Sequence, residues 1–361
     1  MIKIDLVAAA RPNFMKIAPV HRALADSGDW CRVRLVHTGQ HYDAAMSDAF
    51  FRDLGLPQPN LSLGVGSGTH AEQTAGVMVA YERACLAERP DWTVVVGDVN
   101  STLACALAAK KLLIHVAHLE AGLRSRDRTM PEEINRVATD AISDLLWTPS
   151  SDADENLRAE GIPAERIERV GNVMIDSLEM MRPAIEARSF GQALGLERGR
   201  YGVVTLHRPS NVDDPTRLRQ LMDMLCAVAR DLPLVFPVHP RTRKMLADVG
   251  AAPGAGLQLI DPAGYVDFMS LVFGARCVIT DSGGIQEETT YLHIPCLTLR
   301  DTTERPITVT LGTNHLVVIA SVAPAINKIL SGRWPRGGIP ELWDGRSAER
   351  VVRSLRRRVA G

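Results

Sequence analysis

The sequence predicts an α/β protein built on two parallel sheets, and three observations predict it. Short apolar runs alternate with helix-length segments from end to end, the pattern of parallel strands joined by crossover helices. The runs fall into two series, separated by the stretch 171–200, which carries the domain boundary. At 361 residues the chain exceeds one ordinary core and suits two domains of moderate size.

The first series comprises runs at 3–8, 33–37, 93–96, 114–119 and 145–148, each short and rich in Val, Ile or Leu, as buried parallel strands are. A loop containing Gly64, Gly66 and Gly68 precedes a predicted helix over 69–87. A second helix is predicted over 101–112 behind an Asn100/Ser101 cap. A third opens at Pro131, with proline at the favoured first position and Glu132 and Glu133 in the first turn. The second series runs through 201–206, 234–238, 257–260, 277–280 and 296–299. Two such sheets joined by one linker are expected to face a cleft with the carboxyl ends of their strands, where open α/β sheets bind ligands.

Composition excludes several classes. The formal net charge is -1, with 46% hydrophobic and 23% charged residues, so neither disorder nor a basic nucleic-acid surface is indicated. The one basic run, Arg353 with Arg356, Arg357 and Arg358, fits the solvated face of a C-terminal amphipathic helix. Residues 1–7 fit a buried first strand rather than an export signal. No apolar run approaches the roughly 18 residues of a membrane span. Six cysteines without a C-x-x-C pair fit reduced thiols of a cytoplasmic protein. Gly64, Gly66 and Gly68 miss the dinucleotide spacing by one residue, and no phosphate-binding G-x-x-x-x-G-K-[ST] occurs. The pairs His37/His41 and His115/His118 lack companions at metal-ligand spacing and fit core or edge histidines. No metal and no cofactor is expected.

Chemistry is expected beyond the strand ends. Run 277–280 leads into Asp281-Ser282-Gly283-Gly284, where two glycines let backbone approach a ligand and a helix start attracts an anion. Ser282 adds a hydroxyl donor, and Glu288, one turn on, can accept from vicinal hydroxyls. Arg300 and Arg305 follow the next strand and suit phosphate, which lifts this reading above a plain capped turn. Arg11 and Lys16 open a helix after the first strand, an unfavourable place for cations unless they face an anion. Solvated surface charge is the competing reading for that pair.

Carboxylates gather in the first half. Asp98 and Glu120 each follow a strand, and Glu132 stands in the first turn of the helix from Pro131. Taken singly, Asp98 fits a cap and Glu132 fits dipole compensation with an i,i+4 pair to Arg136. Three carboxylates on one cleft instead supply proton acceptor and donor. In the second half His207 ends a strand as a candidate acid/base or phosphate donor, with His239 and Arg241 at a similar strand end.

Together R-P-N-F-M-K (11–16), T-G-Q-H (38–41), G-D (97–98), H-L-E-A-G-L-R (118–124), P-E-E-I-N-R (131–136), T-L-H-R (205–208), D-S-G-G-I-Q-E-E (281–288) and R-D-T-T-E-R-P (300–306) closely resemble the UDP-N-acetylglucosamine 2-epimerase family, in order, from residue 1 to about 320. The resemblance implies a GT-B-like fold of two Rossmann-like domains, 1–172 with a helix at about 345–361 packing back on it, and 173–344. It implies reversible C2 epimerisation of UDP-N-acetylglucosamine to UDP-N-acetylmannosamine through UDP elimination, a 2-acetamidoglucal intermediate and re-addition. The implied catalytic set is Asp98, Glu120, Glu132 and His207. The implied substrate-binding set is Arg11, Lys16, Phe268 beside the uracil, Ser282, Gly283, Gly284, Glu288 at the ribose, and Arg305. A homodimer is implied as well.

Three departures are visible. Asp43 stands where substrate-activated members carry a second glutamine, Pro209-Ser210-Asn211 replaces R-E-N, and Ala263 replaces an amide near the nucleotide. They argue against substrate activation and leave the exact sugar open. The alternatives are a hydrolysing relative that releases N-acetylmannosamine and UDP, a glycosyltransferase of the same fold, and an inactive nucleotide-sugar sensor.

Overall fold

The structure, a computed structural model, describes residues 1–9, 11–39 and 54–360. The chain forms two compact units, Met1–Met180 with Glu341–Gly361, and Met181–Pro340.

In the first unit the order is β1 (Ile2–Ala8), α1 (Arg11–Asp26), β2 (Cys31–His37), β3 (Leu61–Ser62), α2 (His70–Ala87), β4 (Trp92–Val96), α3 (Asn100–Lys111), β5 (His115–Leu119), α4 (Pro131–Ile142), β6 (Leu145–Thr148), α5 (Ser151–Ala159), β7 (Ile167–Arg169) and α6 (Val173–Glu186), which runs on past Met180. Its sheet has the order β3-β2-β1-β4-β5-β6-β7, parallel throughout. Strand order reverses direction after β1, the switch point beside which doubly wound sheets bind ligands. Val94, Val95 and Val96 are wholly or almost wholly buried, because helices cover both faces of a parallel strand.

The second unit continues with α7 (Phe190–Ala193), β8 (Gly202–Thr205), α8 (Pro209–Val212), α9 (Pro215–Val228), β9 (Leu234–Pro237), α10 (Pro240–Asp248), β10 (Leu257–Ile260), α11 (Tyr265–Gly274), β11 (Cys277–Thr280), α12 (Gly283–Tyr291), β12 (Cys296–Thr298), α13 (Pro306–Thr310), β13 (Asn314–Leu316) and α14 (Ile319–Leu330). Its parallel sheet has the order β10-β9-β8-β11-β12-β13. Leu221, Leu225, Leu234, Phe236 and Ile279 anchor one apolar core against its strands.

Among the described residues three strands lie outside the predicted set: β3, β7 and β13. Each has two or three residues and ends a sheet, where one flank needs no apolar partner and the sequence signal fades. The expected Asn100 cap is also corrected. Val99 occupies the cap position, and the Asn100 side chain instead meets His70, Gln73 and Asn135. The helix α2 begins as expected, with Thr69 and Glu72 forming a reciprocal capping box.

The final helix, α15 (Ser347–Ala360), belongs to the first unit. Val351 and Leu355 are fully buried, Trp147 donates to Ser354 at 2.9 Å, and Trp343 donates to the Pro149 carbonyl at 2.8 Å. Asp176 caps it by accepting from the N–H groups of Ser347 and Ala348 at 3.1 and 2.7 Å. Asp176→Ala is therefore expected to destabilise the first unit by about 1 kcal/mol, read as a lower thermal midpoint. Among the described residues no helix is long and apolar enough to cross a membrane.

Candidate functional site

In the first unit, the ends of β4 and β5 bring Asp98 and Glu120 together. Val96 pairs with Leu119 in register, so the residues that follow leave the sheet side by side. Gly97 turns the chain with φ +68°. A Cβ there would stand 3.3 Å from Lys16 Nζ, 3.4 Å from Asn13 Nδ2 and 3.5 Å from a Glu120 oxygen. The turn is thus packed around a glycine that left-handed backbone favours. Glu120 itself holds φ +71°, a conformation costing a non-glycine residue about 1–3 kcal/mol and met at functional sites.

Each carboxylate has a cation. Lys16 pairs with Glu120, and both are about nine-tenths buried. Arg136 pairs with Asp98, which stays partly open to solvent. The i,i+4 pair of Glu132 with Arg136, the competing reading of Glu132 taken singly, is not formed. Arg136 turns inward to Asp98 and to Glu133 at 2.5 Å, because Glu133 is buried and Asp98 only partly exposed while Glu132 is exposed. Asn135 of the same helix donates to the Asp98 carbonyl at 2.9 Å, so α4 is tied to the turn that bears Asp98. Glu132 lies one helical turn from Arg136, on the same side of α4.

Glu133 has a structural role that the sequence reading did not separate from that of Glu132. It accepts from the N–H groups of Ser125 and Arg126 at 2.8 and 2.9 Å and from the Ser125 hydroxyl. Burial pushes its carboxyl up, yet these donors and Arg136 hold it below the usual range. Asn13 is a second addition: it donates to the Val96 carbonyl at 3.3 Å and accepts from Ala9 N–H, joining β1 to β4. Arg11 opens α1, and its side chain lies outside the described residues, as do Gln40, His41 and Asp43.

In the second unit, β11 runs into Asp281 and the start of α12. Asp281 does not form part of an anion cradle. It is fully buried and faces the loop after β8, accepting from the N–H groups of His207 and Arg208, from the Asn211 side chain at 3.1 Å, and from His207 Nδ1 at 2.9 Å. Burial pushes Asp281 up, but the His207 contact and the N–H donors hold it low. His207, more than half exposed, is therefore oriented by a buried carboxylate.

The two glycines of the turn have different surroundings. A Cβ on Gly283 would stand 2.6 Å from Arg305 Nη1 and 2.8 Å from Glu304 Oε1, whereas one on Gly284 would meet nothing within 4 Å. The cradle that remains is Ser282, Gly283 and Gly284 at the N-terminus of α12, with open space over Gly284. Arg305 reaches this turn but is already neutralised: Glu304 and Glu287 bind it, and Arg300 shares Glu304 at 2.7 Å. Arg305, read from the sequence as suited to phosphate, is one corner of a buried ion network. Burial opposes ionisation of Glu304, and the two arginines overcome it.

Glu288 is buried one turn farther along α12 and accepts from the Tyr265 hydroxyl at 2.7 Å. Tyr265 and Phe268 are three residues apart on α11, so they share a helix face. Tyr265 was signalled in sequence only by that spacing. Burial pushes Glu288 up to about 7, the neighbouring Glu287 charge adds to this, and Tyr265 opposes it. With a folded value above the ordinary 4.5, its stabilising contribution is full below about 4.5 and is lost as pH rises through about 7. Glu288→Gln should therefore melt closer to the parent at pH 5.5 than at pH 8.5, where the substitution is relatively more stabilising; thermal melts at both values check this.

Among the described residues no cluster of His, Cys, Asp or Glu stands where a metal ion could be held. Two parallel α/β units, one ending in paired carboxylates and the other in a glycine-bearing helix start, define an enzyme-like chain of the GT-B-like fold class. A family model described as UDP-N-acetylglucosamine 2-epimerase matches residues 23–356, and the chain belongs to that family. The UDP-N-acetylglucosamine 2-epimerase of Methanocaldococcus jannaschii is 41% identical, with 98% of this chain and 99% of the relative covered. The crystal structure of that protein in complex with UDP-GlcNAc and UDP gives a TM-score of 0.88 at 40% identity, covering 99% of this chain and 100% of that one. The UDP-2,3-diacetamido-2,3-dideoxy-D-glucuronate 2-epimerase of Pseudomonas aeruginosa is 42% identical over 88% of each chain.

Proposed function

We propose that this protein interconverts UDP-N-acetylglucosamine and UDP-N-acetylmannosamine. The observation that carries the reading is the pair Asp98 and Glu120, set side by side on adjacent strand ends and each held by a cation. In the forward direction a carboxylate removes the C2 proton while the C1–O bond to UDP breaks, giving 2-acetamidoglucal and UDP. A second group returns a proton to the other face of C2, and UDP adds back at C1. The C2 proton is poorly acidic, so departure of UDP provides the drive, and donors that stabilise diphosphate charge speed it.

We assign the proton transfers to Asp98 and Glu120, with Glu132 serving the second face of C2, and an acid/base or phosphate role to His207. The second unit holds UDP through Ser282, Gly283, Gly284, Phe268 and Glu288. Arg11, Lys16 and Arg305 supply positive charge, the last two as members of ion pairs. A homodimer working in the cytoplasm, with its six free cysteines reduced, completes the reading. Light scattering at twice the chain mass would support the dimer.

Incubation with UDP-N-acetylglucosamine in deuterated water tests the reaction. Deuterium at C2 and a steady UDP-N-acetylmannosamine pool are expected. Stoichiometric free UDP and free sugar would make the chain a hydrolysing relative, and no deuterium without an acceptor would favour a glycosyltransferase. The similarity to the Pseudomonas relative favours one second substrate, a UDP-linked 2,3-diacetamido uronic acid, to be run beside the first.

The glycine turn gives a paired prediction. Gly283→Ala must displace the Arg305–Glu304 pair and should cost about 1–3 kcal/mol of stability. Gly284→Ala meets no atom and should keep or slightly raise the thermal midpoint while weakening UDP binding. Melting curves and UDP titration calorimetry separate the two.

A further inference from the structure

Behind the two candidate carboxylates lies a buried pair that the reaction as described does not use. His118, in β5, is wholly buried, and so in effect is Asp140, in α4. His118 Nε2 lies 2.8 Å from the Gly97 carbonyl, and Nδ1 lies 2.6 Å from an Asp140 oxygen. A carbonyl only accepts, so Nε2 carries the hydrogen it shares with Gly97. The other Asp140 oxygen accepts from Gly122 N–H at 3.1 Å and from Arg124 at 2.7 Å. Arg124 is held in turn by Glu160 and donates to the Leu123 carbonyl.

One carboxylate thereby reaches both turns of the site. Through His118 it fixes Gly97, whose peptide leads into Asp98. Directly, through Gly122, it fixes the segment that follows Glu120. Both turns need such support. Glu120 holds φ +71°, which its Cβ disfavours, while Gly97 and Gly122, at +68° and +81°, carry no such penalty but have more backbone freedom to restrict. The Gly97–Asp98 peptide is planar, so it cannot flip without losing the His118 bond.

We propose that His118 is a positioning residue: braced by Asp140, its Nε2–H holds the Gly97 carbonyl and so sets the place of the Asp98 carboxylate. The inference rests on the epimerase reading for the reaction it serves, though the bond itself does not depend on it. It separates His118 from an ordinary core histidine, whose removal costs stability without regard to which nitrogen is lost.

Two substitutions split the nitrogens. His118→Gln keeps an amide N–H near the Nε2 position, and His118→Asn keeps one near Nδ1, facing Asp140. Both are expected to lower the thermal midpoint. In the deuterium exchange assay His118→Gln should stay within about tenfold of the parent kcat, while His118→Asn should lose about 100-fold with KM little changed, the effect of a misplaced reacting group. Equal losses, or a fully active His118→Asn, would overturn the proposal. Should neither variant fold, nitrogen-15 NMR of the histidine-labelled parent decides: a solvent-protected Nε2–H supports it, and a bare Nε2 overturns it. An inactive parent with a protected Nε2–H would instead count against the epimerase reading alone.

Discussion

Glu120→Gln is expected to lower kcat for C2 deuterium exchange by about 10²–10⁴-fold, the usual worth of a positioned acid or base. Glutamine keeps the size and an acceptor oxygen, so the turn at φ +71° should survive. Stability should fall too, for a separate reason. Lys16 is buried and paired with Glu120, and removing one charge of such a pair leaves the other uncompensated. A double variant, Lys16→Met with Glu120→Gln, removes both charges and should regain much of the lost thermal midpoint. Its exchange rate should stay at the single-variant level or lower. If the double variant recovers activity along with stability, Glu120 serves the fold rather than the proton transfer. Asp98→Asn makes a milder stability control, since Asp98 is partly exposed and Arg136 keeps Glu133 as a partner.

The sequence made the central strands legible because burial on both faces writes continuous apolar runs, and 93–96, 145–148 and 277–280 coincide with β4, β6 and β11 almost to the residue. Edge strands β3, β7 and β13 wrote no such run. The location of the carboxylates was legible as well, since strand ends in α/β sheets collect function. Their partners were not. Whether Arg136 pairs with Glu132, Glu133 or Asp98 depends on where α4 sits against β4, which no i,i+4 rule contains. The same holds for Asp281. In sequence it adjoins Ser282 and Gly283 and looks like part of their loop, yet the residue just after a strand and the first of the next helix point to different neighbours. Arg305 shows the converse: its chemistry suits phosphate, while its surroundings already supply two carboxylates.

Asp281→Asn should therefore act on His207 and not on the helix start beside it. The expected result is a fall in kcat of about 10²-fold or more, with UDP affinity within a few-fold of the parent. His207 is more than half exposed, and without a charged partner its ring is free to leave the rotamer that Asp281 selects. Nδ1 of His207 faces a carboxylate that also accepts two backbone N–H groups, so Nδ1 carries hydrogen and Nε2 is the nitrogen presented outward. Asparagine supplies one acceptor oxygen where aspartate supplies two. It must choose between the backbone N–H groups and the ring, and it can turn an N–H toward Nδ1, reversing the tautomer. Calorimetry with UDP and the exchange assay separate the roles. Loss of UDP binding equal to the loss of kcat would return Asp281 to the anion site, while an unchanged kcat would leave His207 without a part in proton transfer.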